Sequence, residues 1–341
     1  MHRKRLEVSM RHGGDLSQVS VAHNTIEQNW LDLSTGIAPV PYPLPTVPLS
    51  DWQRLPQDNS MEELIASARH AYKVPYSASI IAAPGTQILI QLLPILHPDV
   101  QQVRILGPTY NEHAICWGRS VKNTQTVVDL QDLRKADVRV ITNPNNPDGR
   151  VVDLKILKEL AEQSYRESQL MIVDEAFADI TPEVSIVPHC GDSGLIVLRS
   201  FGKFYGLAGL RLGFAIGAVD IIKRLGAAIG PWAISGPACY IAKQALYDDN
   251  WARKARLDYK KQATRLDTIL IKYGIEIIGG TSLFRLGQFE RAAHLHNALA
   301  KQGIWTRKFC QNPCWLRFGL PGHASNFIRF ETALIHALST L

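Results

Sequence analysis

One segment of the chain combines a lysine with glycines and aromatic residues in a pattern suited to covalent chemistry. It reads Ser200-Phe-Gly-Lys203-Phe-Tyr-Gly-Leu-Ala-Gly-Leu-Arg211-Leu-Gly213 and follows an apolar run typical of a buried strand. Because the neighbours of Lys203 carry no charge, desolvation there favours the neutral amine, which is the form that makes a Schiff base. A solvated surface lysine is the alternative, and this segment taken alone favours it.

Two further segments place polar residues at the ends of predicted strands. The run NPNNPDG, which contains Asn146, follows one strand, and the run DEAF, from Asp174 to Phe177, follows the next. Ligands of parallel sheets bind beyond the carboxyl ends of the strands, so we expect Asn146, Asp174 and Ser200 to converge on one crevice. Taken singly, the Asn-Pro run is also compatible with a turn, and Asp174 with an N-cap or a metal ligand.

The elements around these segments predict an α/β fold. Apolar runs rich in β-branched residues alternate with helical patterns, which is typical of a mostly parallel sheet covered by helices. The predicted strands include 80–81, 103–106, 138–142, 170–173, 196–198 and 212–216. The predicted helices are 60–73, which opens with a capping box at Ser60-Met-Glu-Glu63, and then 86–96, 111–119 and 153–166.

Chain length and a change of pattern predict a larger and a smaller domain. The chain has 341 residues, too many for one small core. After a helix near 236–248, a long charged helix is predicted over 251–273, followed by short strands that alternate with helices at 290–302 and 324–340. We assign an N-terminal arm with part of the small domain to 1–38, the large domain to 39–248 and the small α/β domain to 249–341.

The Pro-rich segment 38–56 is expected to connect the arm to the large domain in an extended conformation. Each proline removes a backbone donor and fixes φ, so neither a helix nor a central strand is predicted there.

Composition argues against several classes of protein. Hydrophobic residues make up 46% and charged residues 20%, as in ordinary globular proteins rather than disordered ones. No signal peptide or membrane-spanning run is recognised, so a soluble cytoplasmic protein without a membrane partner is predicted. The five cysteines are scattered and odd in number, and His294 and His296 alternate within a helix, so neither a disulfide framework nor a metal site is predicted. The net charge of +6 is compatible with nucleic acid or with anionic small molecules.

Together the strand-end segments resemble the fold-type I enzymes, which have the aminotransferase-like fold and use pyridoxal 5'-phosphate (PLP). The resemblance runs from about Asp32 to the C-terminus. It implies that PLP is carried as a Schiff base on Lys203 and that Asp174 pairs with its protonated pyridine nitrogen. Asn146 would donate to the ring oxygen O3', and the cofactor phosphate would be bound by Ser200 and Arg211.

The same resemblance implies that Pro84-Gly-Thr-Gln87 forms the other half of the phosphate site, with Gly85, Thr86 and Gln87 as cofactor-binding residues. Backbone N–H groups at a helix N-terminus bind anions, and a glycine lets the chain approach closely. Tyr110 resembles the aromatic residue that stacks on the pyridine ring; an ordinary core tyrosine is the alternative.

Two positions depart from the family pattern. Phe177 stands where many aminotransferases have a tyrosine that donates a second hydrogen bond to O3', so Asn146 would be the main protein partner of that oxygen. Leu55 stands where histidinol-phosphate aminotransferases have a tyrosine that reaches the partner subunit's cofactor phosphate. The chain therefore resembles a relative of those enzymes rather than a copy.

Segments near both termini favour one branch of the family. The run RHGG at 11–14, the run LDLSTGIAP at 31–39 and two arginines near the C-terminus jointly resemble the threonine-phosphate decarboxylases of cobalamin biosynthesis. The resemblance implies substrate contacts from His12, Gly36, Ile37, Asn146, Arg307 and Arg317. Arg317 would bind the carboxylate and Arg307 the phosphate of a phosphorylated amino acid, although ordinary surface arginines are the alternative reading.

The activity implied by this resemblance is decarboxylation of L-threonine O-3-phosphate by a homodimer, with Lys203, Asp174 and Tyr110 as catalytic residues. A histidinol-phosphate aminotransferase or a related aminotransferase is the alternative, since it shares nearly every cofactor residue. A PLP-binding regulator of transcription is a third possibility. Such regulators carry a DNA-binding module, and the roughly 30 residues before Asp32 are too few for one, so no nucleic-acid partner is predicted.

Overall fold

The computed structural model describes residues 13–23, 26, 29–191 and 194–341, without the side chain of Gln18. The chain forms two compact units. The large unit is Pro41–Arg256, and the small unit combines the described part of Met1–Val40 with Leu257–Leu341.

Twelve α-helices are present in the described ranges. They are α1 (Ser17–His23), α2 (Leu49–Gln53), α3 (Asp58–Tyr72), α4 (Thr86–Leu96), α5 (Asn111–Ser120), α6 (Leu154–Arg166), α7 (Phe201–Phe204), α8 (Val219–Ile229), α9 (Gly236–Tyr247), α10 (Asp249–Lys272), α11 (Ala292–Lys301) and α12 (Ala324–Ser339). None of the helices in these ranges is both long and apolar enough to cross a bilayer.

The strands number thirteen over the same ranges. They are β1 (Leu31–Asp32), β2 (Ser79–Ala83), β3 (Gln102–Leu106), β4 (Asn123–Val127), β5 (Val138–Thr142), β6 (Leu170–Asp174), β7 (Leu195–Ser200), β8 (Gly213–Gly217), β9 (Glu276–Thr281), β10 (Phe284–Gln288), β11 (Ile304–Trp305), β12 (Arg307–Phe309) and β13 (Asn312–Gly319).

The large unit contains a seven-stranded sheet in the order β2-β8-β7-β6-β5-β3-β4. The strands from β4 to β7 run parallel, and β8 is antiparallel to both of its neighbours. Every residue of β5, β6 and β7 is buried, which explains why these strands read as continuous apolar runs rather than as alternating ones. The predicted α/β class with a mostly parallel sheet is confirmed.

Helices α4 and α5 cover part of this sheet. Leu89 and Ile90 of α4 and Trp117 of α5 belong to one buried cluster with Val140 of β5 and Ile172 of β6. This packing matters for the site because both helices begin next to the carboxyl ends of the parallel strands. Their first residues, Thr86 and Asn111, follow strands β2 and β3 along the chain.

The small unit contains a four-stranded antiparallel sheet in the order β12-β13-β10-β9 and a separate parallel pair, β1 with β11. Buried Phe318 of β13 and Phe330 of α12 lie with ring centroids 5.9 Å apart, so the sheet packs against that helix.

Two local predictions are wrong. Helix α3 begins at Asp58 with Gln57 at its N-cap and no side-chain cap, so Ser60 lies inside the helix and makes no capping box. An acidic first-turn residue favours this earlier start through the helix dipole. The Pro-rich segment also contains a helix, α2, whose N-cap is Pro48. The run from Leu49 to Leu55 has no proline, so one helical turn can close there.

Candidate active site

The carboxyl ends of three neighbouring parallel strands carry predicted site residues. Asp174 is the last residue of β6 and pairs in register with Thr142, the last residue of β5. Ser200 is the last residue of β7, which lies on the other side of β6. Asn146 follows β5 by four residues and is half-buried. The structure therefore brings these three residues to one edge of the sheet.

Asp174 is held by two contacts. Its side chain is buried, and its Oδ2 lies 2.8 Å from Nε2 of His113, which is equally buried on α5. Its Oδ1 accepts a hydrogen bond of 3.1 Å from the backbone N–H of Ala176. Each carboxylate oxygen thus has a partner that fixes its orientation. His113 was not among the predicted site residues, although a histidine on the buried face of a predicted helix is a signal that could identify it.

Tyr110 belongs to a chain of side-chain hydrogen bonds at the start of α5. Its hydroxyl donates to Oε1 of Gln87 at 3.2 Å, and Nε2 of Gln87 donates to Oε2 of Glu112 at 2.9 Å. Burial and the negative charges of Glu112 and Asp174 raise the pKa of Tyr110 to about 12, so its hydroxyl stays protonated at neutral pH. Because the side chain of Gln87 is held by these two hydrogen bonds, the group through which Gln87 would bind an anion is its backbone N–H.

The N-terminus of α4 forms a cradle with Arg211. Gly85 precedes the helix with φ 81°, and a Cβ there would lie 2.7 Å from Nη2 of Arg211. A Cβ on Gly213 would lie 2.6 Å from the backbone nitrogen of Thr86. Gly213 is also the register partner of Ser200. The N–H groups of the first helical turn and a guanidinium therefore meet where only glycines leave room, an arrangement that suits a phosphate, and Ser200 lies beside them in the sheet.

Helix α7 is a single turn that begins directly after Ser200, and Lys203 on this turn is half-buried. This turn is tightly packed, since a Cβ on Gly202 would lie 2.7 Å from Cα of Ala208. Phe177, which follows β6, is 4% exposed. The lysine therefore projects from a rigid turn at the strand-end edge that carries Asp174.

The small unit brings Arg307 and Arg317 together. They are register partners on the antiparallel strands β12 and β13. Side chains directly opposite each other on such strands are neighbours, and like charges there are unfavourable. Burial and the charge of Arg307 lower the pKa of Arg317 to about 10, and Asp32 opposes this shift. Burial also lowers the pKa of Arg307. This paired positive charge favours binding of an anion.

Residues of the loop after β1 lie close to Arg317. Its Nη2 donates a 2.6 Å hydrogen bond to the backbone oxygen of Ser34. On the same loop Gly36 is buried and Ile37 is half-buried. His12, also predicted to bind substrate, lies outside the described residues.

A family model described as aminotransferase class I and II matches residues 53–329 of the chain. The chain belongs to this family. The aminotransferase-family chain is 39% identical to a threonine-phosphate decarboxylase of Sinorhizobium sp over 325 residues, 95% of this chain and 97% of the relative. It is 37% identical to a threonine-phosphate decarboxylase of Pseudomonas aeruginosa over 329 residues, 96% and 97% of the two chains.

A solved structure shares the fold of this aminotransferase-family chain. Histidinol-phosphate aminotransferase from Sinorhizobium meliloti, in complex with pyridoxal-5'-phosphate, superposes with a TM-score of 0.78 at 17% identity, covering 99% of both chains. At this identity the likeness concerns the fold alone.

The cofactor of the aminotransferase-family protein is PLP, as predicted. The residues described above fit it. The cradle beside Gly85 and Gly213, which a Cβ at either position would obstruct, suits the phosphate group of PLP. The buried carboxylate of Asp174 suits the cationic ring nitrogen of PLP. Over the described ranges no group of three or more His, Cys, Asp and Glu side chains could hold a metal ion. The roles assigned to individual residues remain predictions.

Proposed function

We propose that the protein decarboxylates L-threonine O-3-phosphate to (R)-1-amino-2-propanol O-2-phosphate in cobalamin biosynthesis. The observation that carries this proposal is the 37–39% identity to two threonine-phosphate decarboxylases over nearly the whole chain. The small unit adds a chemical reason. Arg307 and Arg317 form a paired positive charge, and the proposed substrate carries two anionic groups, a carboxylate and a phosphate.

Residues of the large unit would hold the cofactor. In this proposal Lys203 carries it covalently, while Ser200, Arg211 and the backbone N–H groups of Thr86 and Gln87 bind its phosphate. Bound PLP supplies an electron sink for the bond that breaks at the substrate Cα. The close packing of α7 fixes the backbone of Lys203 at the strand-end edge, which supports its role as the covalent anchor.

Asp174 would hold a proton on the pyridine nitrogen. The contacts of its carboxylate with His113 and with the Ala176 N–H fix its orientation, so no reorganisation is needed as charge develops. His113 acts through Asp174 and is therefore a positioning residue.

Asn146 would donate to the ring oxygen O3', and the ring of Tyr110 would stack on the pyridine. Phe177 lacks the hydroxyl that many aminotransferases place at that position, so it can only contact the ring through apolar atoms.

The choice between decarboxylation and transamination depends on which bond at Cα stands perpendicular to the cofactor ring. Arginines that bind the carboxylate and the phosphate set the orientation of the substrate, and orientation of this kind accounts for large rate differences. We assign the carboxylate to Arg317 and the phosphate to Arg307, with further substrate contacts from His12, Gly36, Ile37 and Asn146.

The test is incubation of the purified, PLP-loaded protein with L-threonine O-3-phosphate, with carbon dioxide and amine product monitored. Continuous turnover without a keto acid is expected, at one carbon dioxide per amine. Conversion of the cofactor to its amine form without carbon dioxide, with turnover restored by 2-oxoglutarate, would contradict the proposal and support a phosphate-substrate aminotransferase.

A second experiment tests the covalent anchor. Lys203→Ala is expected to lose essentially all turnover and the PLP-lysine adduct that borohydride traps in the wild-type protein. Lys223→Ala changes an exposed lysine of α8 and serves as the control. A trapped adduct at another lysine of the Lys203→Ala protein would show that the anchor is assigned wrongly.

We also propose that the protein is a cytoplasmic homodimer. The apolar side chains of Leu44, Leu49, Trp52 and Leu55 are 62–67% exposed within one short segment of the large unit, and a second copy of the chain would cover them. The cytoplasmic location is carried over from the prediction that the sequence gives. Sedimentation equilibrium tests the proposal, and Trp52→Glu together with Leu55→Glu is expected to shift a dimer toward the monomer.

A further inference from the structure

Ser34 of the small unit makes four hydrogen bonds that join three segments distant in sequence. Its side chain is fully buried. The hydroxyl donates to Oδ1 of Asp32 at 2.6 Å, and the backbone N–H of Ser34 donates to the same atom at 2.8 Å. The hydroxyl also accepts a hydrogen bond of 2.9 Å from the backbone N–H of Gly14. The carbonyl oxygen of Ser34 accepts a hydrogen bond of 2.6 Å from Nη2 of Arg317.

The N-terminal segment approaches Ser34 as closely as a backbone can. A Cβ on Gly13 would lie 2.5 Å from the Ser34 carbonyl oxygen and 2.8 Å from its Oγ. Gly14 has φ 91°, a conformation that glycine adopts easily. Gly13 is therefore required by the close contact with Ser34, and glycine is favoured at position 14 by the backbone conformation there.

Asp32 fixes the direction of the Ser34 hydroxyl. Since the hydroxyl hydrogen points to Asp32, the oxygen presents its lone pairs to the Gly14 N–H. The Ser34 carbonyl at the same time accepts from the Arg317 guanidinium, which fixes one end of that group. One residue thus sets the position of the glycine segment and of the arginine together.

We propose that Ser34 is a positioning residue that ties the Gly13–Gly14 segment to the Arg317 guanidinium and so holds that guanidinium in place for a substrate anion. This inference rests on the proposed function, because it assumes that Arg317 meets an anionic group of the substrate. It adds a specificity determinant that touches neither substrate nor cofactor.

The first test is Ser34→Ala in the PLP-loaded protein. Loss of the tether to Gly14 and of the bond to Asp32 is expected to raise the KM for L-threonine O-3-phosphate roughly tenfold, with kcat changed less than threefold. Gly13→Ala is expected to act in the same direction, because its Cβ would displace the segment from Ser34. Gly118→Ala is the control, since a Cβ there meets nothing within 4 Å.

The second test asks whether Ser34 acts through the N-terminal segment. If it does, Gly13→Ala and Ser34→Ala combined should raise KM no more than either variant alone, because both break the same contact. If the increase in KM of the double variant equalled the product of the two single increases, the proposal would be overturned. An unchanged KM in Ser34→Ala would overturn it as well. Circular dichroism of each variant shows whether it folds.

Failure of the proposed function can be told apart from failure of this inference. A wild-type protein that releases no carbon dioxide contradicts the proposed function alone. Binding of acetate, which carries the carboxylate group assigned to Arg317, is measured by calorimetry on the PLP-loaded proteins and tests Ser34 independently. Binding roughly tenfold weaker in Ser34→Ala than in wild type supports the tether, and equal binding overturns it.

Discussion

Two buried arginines, one in each unit, have opposite electrostatic surroundings. Arg199 of β7 in the large unit donates to Oε2 of Glu175 at 2.8 Å and to Oδ1 of Asp179 at 2.5 Å. Although burial lowers its pKa, these two carboxylates raise it above the ordinary value. For Arg317 in the small unit, burial and the neighbouring Arg307 lower the pKa to about 10.

The difference shows which arginine is suited to binding. Arg199 adjoins Ser200 in sequence, and Glu175 adjoins Asp174, so a buried ion network of one arginine and two carboxylates underlies the strand ends of the predicted cofactor site. Such a network maintains a fixed geometry and gains little from a further anion. The small unit concentrates positive charge instead, and a ligand anion would relieve that charge. Perturbed ionisation of this second kind is typical of functional sites.

The largest effect on stability is expected from breaking this buried ion network. Arg199→Met would leave Glu175 and Asp179 buried without their cation, and we expect a loss of about 3–5 kcal/mol in the free energy of unfolding. Urea denaturation monitored by circular dichroism measures it. Arg119→Met changes an exposed arginine of α5 and should stay within about 0.5 kcal/mol of wild type. A similarly small effect of Arg199→Met would show that the network does not support the strand ends.

The next effect is expected at Asp174, whose carboxylate belongs to the same strand-end region. Asp174→Asn keeps the shape but removes the charge that would face the pyridine nitrogen, and kcat should fall by roughly two to three orders of magnitude while PLP remains bound. Asp153→Asn is the matched control, because asparagine caps α6 as well as aspartate does. Activity of Asp174→Asn within a few-fold of wild type would mean that another group protonates the ring.

Removing one member of the arginine pair tests the small-unit side of the comparison. Arg307→Ala should weaken binding of L-threonine O-3-phosphate by about 1.5–3 kcal/mol and affect free L-threonine far less, because a charge-assisted bond to phosphate is lost. Initial rates with both substrates give the two KM values. Lys308→Ala removes an exposed neighbouring charge and is the control. Equal losses for both substrates would assign the phosphate to another residue.

The smallest effect concerns acid stability near the positive charge of the small unit. Burial lowers the pKa of His296 to about 3, with smaller contributions from the charges of Lys308, His23 and Arg307. The folded protein therefore keeps this side chain neutral. The unfolded chain takes up a proton below about pH 6.5, and stability from this group is therefore present above that pH and lost as the pH falls toward 3.

His296→Gln should remove this pH dependence. Between pH 7 and pH 5 wild type is expected to lose about 2 kcal/mol more in free energy of unfolding than the variant, as measured by urea denaturation at each pH. His294→Gln replaces an exposed histidine of the same helix and should behave as wild type. An identical acid dependence in His296→Gln would show that burial and the neighbouring positive charges do not lower the pKa of His296 in this way.

Elements with a strong apolar pattern were predictable from sequence. The predicted 86–96 helix matches α4, and the predicted strand over 138–142 matches β5. Strand β4, with the sequence NTQTV, was missed because an edge strand of polar residues carries no apolar signal. Helix α8 was missed as well, and only Ile222 and Leu225 of its residues are buried.

The sequence by itself determined which polar residues stand at the strand ends, because residues such as Asp174 and Ser200 directly follow buried apolar runs, and a parallel sheet brings such ends to one edge. Only the tertiary structure decided which side chains hold them. His113 lies 61 residues from Asp174, and Ser34 lies 283 residues from Arg317. Local patterns report on neighbours along the chain, whereas such contacts form only once packing has brought distant segments together.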